Sequence, residues 1–250
     1  MEHLQIEESL NHHLEEKHPN LHSKNLKCLI YGGLDGIITT FAIISSCFGA
    51  NMTIKTILIL GFSNVIADAL SMGLGEYISS DLERDYINSE LEKEEYEYNN
   101  NLDEEVNELS NILQKNDNID SIDSRNIVVT LSKYKVPFLE LMLKKELDLE
   151  MPESRSNIIT GSIYTFSSFI FFGSIPLIPY IISLIVKADE TLIIFIISYI
   201  CSIFSVILLG FLYVRKTKQT LFYLLKFAIS ATLAAGSAFS VGYILENLLK

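Results

Sequence analysis

Three side chains in one apolar stretch stand at helical spacing and could do metal chemistry. Asp68, Met72 and Glu76 lie at i, i+4 and i+8, so an α-helix stacks them on a single stripe. The surrounding stretch, 61–83, starts apolar and ends acidic. Carboxylates on an apolar helix are costly in lipid, so they face a protein interior or a water-filled path. A thioether between two carboxylates places a soft donor among hard ones. That set suits a borderline transition metal better than Na⁺ or Mg²⁺. A further carboxylate, Asp35, sits about two turns into the preceding apolar stretch. Gly32, Gly33 and Gly36 beside it permit close backbone approach, and Thr39 lies one turn further along the same face. A hydrogen bond to a neighbouring helix would also account for Asp35, but an intramembrane carboxylate is a functional candidate by default. Asp35, Asp68, Met72 and Glu76 together outline a path for a divalent ion.

A second set of carboxylates lies further along. Glu94 and Glu97 are an i, i+3 pair, and Glu105 and Glu108 repeat the spacing past an Asn99-Asn100-Asn101 break. Each pair presents two carboxylates on one helix face. Like charges this close cost stability unless a cation neutralises them. Met142 and Glu146, at i, i+4, add a thioether and a carboxylate. The competing reading is a solvated acidic face, because Glu is a strong helix former and charge runs usually sit in water.

These residues need elements to position them. The chain has 250 residues, of which 49% are hydrophobic and 20% charged. From Glu76 to Glu153 there are 21 acidic and 8 basic residues, a net charge of −13, against −12 for the whole chain. This is one membrane unit carrying one acidic insert. An acidic face of that density points to cations and away from nucleic acid. Five apolar stretches, 26–50, 53–80, 157–186, 191–214 and 221–248, each exceed the ~20 residues that cross ~30 Å of hydrocarbon as a helix. Backbone satisfaction in lipid then demands helices.

The expected fold is an all-α membrane protein with five transmembrane helices and an acidic helical metal-binding domain between helices 2 and 3. Its parts are a polar N-terminal tail (1–24), transmembrane helices 1 and 2 (25–80), the cytosolic acidic domain (81–153) and transmembrane helices 3 to 5 (154–250). Lys24 and Lys27 precede the first span, and Arg215, Lys216 and Lys218 separate the fourth and fifth. Only Lys55 and Lys187 flank the other side. The positive-inside rule therefore puts the N-terminus and the insert in the cytosol and the C-terminal end on the far side.

Within the insert, a helix over 81–98 continues the second span. A second runs from Leu102 or Asp103 to about Gln114, followed by a loop over 115–121. A third covers 122–134, with Ser121 or Asp123 as cap, and a last segment covers 138–149. Pro176 and Pro179 predict a kink or an early exit in the third span, with Tyr180 at the interface. Thr232, Gly236 and Ser240, at i, i+4, i+8, predict close helix packing within one chain or between two.

Other features are quieter. His3, His12, His13, His18 and His22 all lie in the polar tail at spacings that match no defined metal site. Cys28, Cys47 and Cys201 lie in or beside apolar stretches without metal-ligand spacing and read as packing residues. No basic n-region with an apolar h-region opens the chain, so no cleavable signal is expected. A di-iron oxidase would need Glu-x-x-His pairs, yet no histidine follows His22. Nothing resembles a nucleophile with its base, a P-loop or a dinucleotide turn. The chain reads as no enzyme and as holding no prosthetic group.

Gly33-Leu34-Asp35-Gly36-Ile37-Ile38-Thr39-Thr40 in the first span and Ser71-Met72-Gly73-Leu74-Gly75-Glu76-Tyr77 in the second resemble the vacuolar iron transporter family. The glutamate-rich insert stands in that family's position, and the resemblance covers about 25–250. The Asn, Ile and Lys usage resembles a protozoan member, of the kind found in malaria parasites. The resemblance implies a proton antiporter that moves Fe²⁺ from the cytosol into a vacuole or another endomembrane compartment, the endoplasmic reticulum among them. It implies a homodimer with the ion path at the subunit interface, lined by Asp35 and Met72. It also implies metal capture by Glu94, Glu97, Glu105, Glu108, Met142 and Glu146. Leu143 departs from the family's methionine pair and removes one soft ligand. The remaining alternatives are a broader carrier of Mn²⁺, Co²⁺, Zn²⁺ or Ca²⁺, a membrane-anchored metal sensor, and a channel.

Overall fold

The computed structural model describes residues 20–187, 190–214 and 220–249. The four tail histidines up to His18, and Arg215, Lys216 and Lys218, lie outside the described residues. All the regular structure among the described residues is helical. The helices are α1 (Asn20–Gly49), α2 (Ile54–Asn100), α3 (Leu102–Asp117), α4 (Ser121–Leu131) and α5 (Lys135–Glu146). They continue with α6 (Arg155–Ser174), a 3₁₀ turn (Ile175–Leu177), α7 (Ile178–Val186), α8 (Thr191–Val214) and α9 (Thr220–Leu248). Among the described residues, five helical segments are long and apolar enough to cross a membrane: α1, α2, α6 with α7, α8 and α9. The chain forms two compact units. One joins the residues up to Glu76 to those from Ile159 onward, and the other is Tyr77–Ile158.

In the first unit α1 is central, packing against α6, α8 and α9. Glycine makes that possible. A Cβ on Gly36 would come within 2.7 Å of the Phe169 carbonyl oxygen, and one on Gly32 would collide with the Thr165 carbonyl. Only a residue without a side chain lets the two backbones approach this closely. The core holds Phe41, Ile44, Ile57, Val65, Ala69, Phe169 and Leu177. Phe195 stacks on Phe48 at 4.3 Å and on Phe41 at 5.5 Å between ring centroids, tying α8 to α1.

The proline pair breaks the third apolar stretch as its chemistry requires. Proline has no N–H to give, and the helix tightens into the 3₁₀ turn at Pro176 before α7 begins. The freed Pro176 carbonyl accepts a 2.7 Å hydrogen bond from the Ser198 hydroxyl of α8. Tyr180 departs from the interfacial expectation. It is fully buried in the core, and its hydroxyl has no hydrogen-bond partner among the described residues. The Thr232, Gly236 and Ser240 stripe is exposed, and a Cβ on Gly236 would touch nothing within 4 Å. Within this chain α9 instead approaches α1 through Gly242, against the Ser46 carbonyl.

The second unit is a small helical bundle. Val106, Leu109 and Leu113 on α3, at helical spacing, bury against Val128, Phe138 and Met142. Full burial of each such side chain is worth about 1.5–3 kcal/mol. Several boundaries differ from those the sequence suggests, α2 ending at Asn100 and α5 at Glu146 among them. α3 runs past Gln114 to Asp117, because Asn118 adopts the left-handed conformation (φ 54°) and its N–H closes on the Leu113 carbonyl. The cap of α4 is Asp120, whose carboxylate accepts from the Ile122 N–H, and α4 ends at Leu131. α5 starts at Lys135, so Pro137 falls in its first turn, where a missing N–H costs little.

Candidate metal centre and membrane path

The Asn101 break between α2 and α3 sets the geometry of the acidic cluster. It ends α2 at Asn100 and starts α3 at Leu102, within a single residue. The glutamates of α2 thereby meet those of α3. One carboxylate oxygen from each of Glu94, Glu97 and Glu105 lies within 4.8 Å of the others. Glu94 and Glu105 are buried, and Glu97 is exposed. The Glu94 Oε2 atom is buried without a hydrogen-bond partner among the described residues.

Burial and mutual repulsion both act on these acids. Desolvation first, then Glu146, Glu105, Glu97 and Glu108, push the Glu94 carboxyl from the ordinary 4.5 to about 7. Desolvation, then Glu97 and Glu108, do the same to Glu105. The Glu146 carboxyl is raised as well, by desolvation and then by Glu108 and Glu97. So Glu108 and Glu146 share the field of the cluster without joining the convergent three. Met142 is fully buried in the hydrophobic core, as is Leu143. A cation placed among the three oxygens would replace repulsion with attraction on every carboxylate.

The cluster is braced from α5. The Lys135 ammonium reaches Glu95 at 2.5 Å and lies 5.8 Å over the Tyr98 ring. The Tyr98 hydroxyl donates to the Ser132 carbonyl at 2.7 Å, and its ring meets Phe138 at 5.3 Å. These contacts pin the segment of α2 that carries Glu94 and Glu97.

In the membrane unit, Asp35 on α1 and Asp68 on α2 are close enough to repel each other. Both are half-buried. Thr39 does not bond the Asp35 carboxylate. Its hydroxyl donates to the Asp35 backbone carbonyl at 2.8 Å. Asp68 accepts from the Asn64 amide one turn away. Met72 is half-buried against the core, and Glu76 accepts from the Cys28 thiol at 3.7 Å.

A family model described as the VIT family matches residues 26–243 of this chain. The chain belongs to the VIT family. VIT family relatives among curated proteins include a "Vacuolar iron transporter" of Plasmodium berghei, 35% identical over 95% of this chain and 89% of the relative. The "Vacuolar iron transporter" of Plasmodium falciparum is 36% identical over 91% of this chain and 85% of its own length. The "Vacuolar iron transporter 1" of Arabidopsis thaliana is 31% identical over 69% and 68%. These VIT family names describe transporters and not enzymes.

Two residues of this VIT family chain, Lys135 and Asn64, escaped the reading of its sequence, and Cys28 was read there only as a packing residue. Lys135 braces the acidic cluster from 40 residues away, a distance that no local pattern encodes. Asn64 had a signal, its i−4 position to Asp68 on the same stripe. Cys28 had one too, standing seven residues before Asp35 on the same face of α1.

Proposed function

We propose that this chain carries Fe²⁺ out of the cytosol into a vacuole or another endomembrane compartment in exchange for H⁺. The observation that carries the reading is the convergence of Glu94, Glu97 and Glu105 in a chain with five helices apolar enough to cross a membrane. VIT family membership and the names of the relatives supply the metal.

In this reading there are five spans, and Tyr77–Ile158 is a cytosolic metal-binding domain. The N-terminus is cytosolic and the C-terminal end is lumenal. The acidic domain concentrates Fe²⁺ on the cytosolic side. Asp35, Met72, Glu76 and Asp68 conduct it across. Proton and metal compete for the same carboxylate oxygens, so metal release on the acidic side is coupled to protonation without ATP. The working form is a homodimer with the path at the subunit interface.

Flux into proteoliposomes, with lumenal pH recorded, tests this. Wild type takes up Fe²⁺ while the lumen loses protons, and Asp35→Ala abolishes both. Undiminished uptake by Asp35→Ala removes Asp35 from the path. Uptake without proton movement removes the antiport.

A second reading, a broader divalent carrier, is favoured by one fact. The three convergent donors are all carboxylate oxygens, which are hard ligands. Equal flux of Mn²⁺, Co²⁺ and Fe²⁺ would select it. A sensor that only anchors in the membrane has no use for two carboxylates, Asp35 and Asp68, on its apolar helices.

A further inference from the structure

A cavity of about 260 Å³ lies among α1, α8 and α9. Ile37 and Phe41 of α1 form its floor, and residues from within 199–207 of α8 and 225–232 of α9 form its sides. The floor is buried, whereas Ile207 and Leu225 are 48% and 53% exposed. The cavity therefore opens outward, at the side of the helical unit. The serine and threonine in its wall spend their hydroxyl protons within their own helices. Ser202 donates to the Ser198 carbonyl at 2.8 Å, and Thr232 to the Ala228 carbonyl at 2.7 Å. Among the described residues the only other polar side chain in the wall is Tyr199, whose ring lies 5.5 Å from that of Phe41. Water gains little in such a place, because it needs two to four polar partners. An apolar cavity of about 150 Å³ already stays dry and admits a small apolar molecule.

The surroundings of the opening name the occupant. Ile207 belongs to the apolar segment Thr191–Phe211, and Ala228 opens the segment Ala228–Leu248. On α8, Ile200, Phe204 and Leu208 each stand next to a lining residue and are exposed. In a membrane-embedded chain those side chains face hydrocarbon, and the cavity is continuous with that lipid-facing surface. It is also drawn out along the helices. Tyr199 to Ile207 spans ~12 Å at 1.5 Å per residue, and half of a ~30 Å hydrocarbon core is ~15 Å.

We propose that this slot binds the acyl chain of a membrane phospholipid. The chain lies along α8 and α9 and packs on Ile37 and Phe41 of α1, the helix that also carries Asp35. Its methylenes supply the dispersion contacts that an empty space forfeits. A space drawn out along two helices suits a flexible chain better than a fused ring system. The inference needs the protein to lie in a membrane and does not need it to carry iron, so failure of the transport reading leaves it standing.

Native mass spectrometry of the full chain, purified from membranes in mild detergent, tests the assignment. Wild type retains one phospholipid per chain. Ala231→Phe puts a ring into the slot and loses that lipid. Ile229→Phe, at a position of α9 that is 58% exposed and outside the lining, keeps it. Ala228→Leu fills the same space with a smaller side chain and gives the same loss, so the outcome does not hang on one variant. Wild type without retained phospholipid, or filled variants that retain as much as wild type, overturns the proposal. A retained sterol overturns it too, as does a second copy of the chain whose contact alone is lost in Ala231→Phe.

Melting gives an independent readout. Delipidated wild type melts at a lower temperature and recovers when long-chain phosphatidylcholine is added. Ala231→Phe, whose slot is already full, responds less. An equal response from both proteins overturns the slot as the place where the lipid acts.

Discussion

At the acidic cluster the surroundings of single residues set their acid–base chemistry. Glu94 and Glu105 have carboxyls pushed to about 7 from the ordinary 4.5, by desolvation before neighbours. A raised folded value means that the folded chain holds protons that the unfolded chain has released. The stabilising contribution is complete below the unfolded value and is lost as pH rises through about 7. Metal-free protein should therefore lose thermal stability in this unit between pH 5 and pH 8, and Mn²⁺ or Fe²⁺ should restore it. The melting shift that metal gives should be small at the acid end, where protons occupy the oxygens, and large at the alkaline end. A metal-induced shift that shrinks with rising pH would contradict this. Glu105→Gln should weaken metal binding by about tenfold or more, since one charge near an ion is worth ~1–4 kcal/mol between water and a protein surface. The exposed neighbour change Glu104→Gln should do much less, and calorimetric titration of both variants checks the contrast.

At the scale of elements, caps and breaks decide what can meet. Asp120 caps α4 through the Ile122 N–H, so Asp120→Ala should cost about 1 kcal/mol, seen as earlier unfolding of the acidic unit. The α1–α6 contact depends on bare backbone at Gly32 and Gly36. Gly36→Leu leaves no space for its side chain against the Phe169 carbonyl. It should abolish recovery of folded protein in detergent, whereas Gly75→Ala, with nothing within 4 Å, should be tolerated. Equal yields from both variants would show that the two helices separate more easily than the packing implies.

At the scale of the whole molecule, a single 47-residue helix, α2, begins in the apolar unit and ends in the acidic one. Its first half is membrane-like and its second half carries Glu94 and Glu97. In the proposed topology, which the lysine and arginine placement favours, the acidic unit lies in the cytosol. Protease added to sealed vesicles with their cytosolic face outward should cut within Tyr77–Ile158 and leave the apolar helices intact. Protection of that unit would invert the topology.

Much of this protein was legible in its residues one after another. Apolar runs of membrane length announce spanning helices because lipid offers the backbone no other partner. The continuation of the second span into a polar helix, and a break within Asn99-Asn100-Asn101, followed from local composition, while the structure carries α2 two residues past 98 to Asn100. The pairing Glu94–Glu97 and the stripe Asp68–Met72–Glu76 followed from helical period alone. What sequence could not give was distance across helices. Glu105 joins Glu94 and Glu97 while Glu108, with the same spacing, stands outside the convergent three, because α3 turns its Val106, Leu109, Leu113 face to the core and that rotation selects which carboxylate faces inward. Tyr180 looked interfacial, yet the structure buries it in the core beyond the Pro176 turn. Cys28 is buried as a packing residue should be, and the structure adds a contact from its thiol to Glu76 that the sequence did not suggest. Helical period fixes which side chains share a face. Only the packing of one face on another decides which of them touch, and those contacts arise from the burial of apolar residues far from the chemistry.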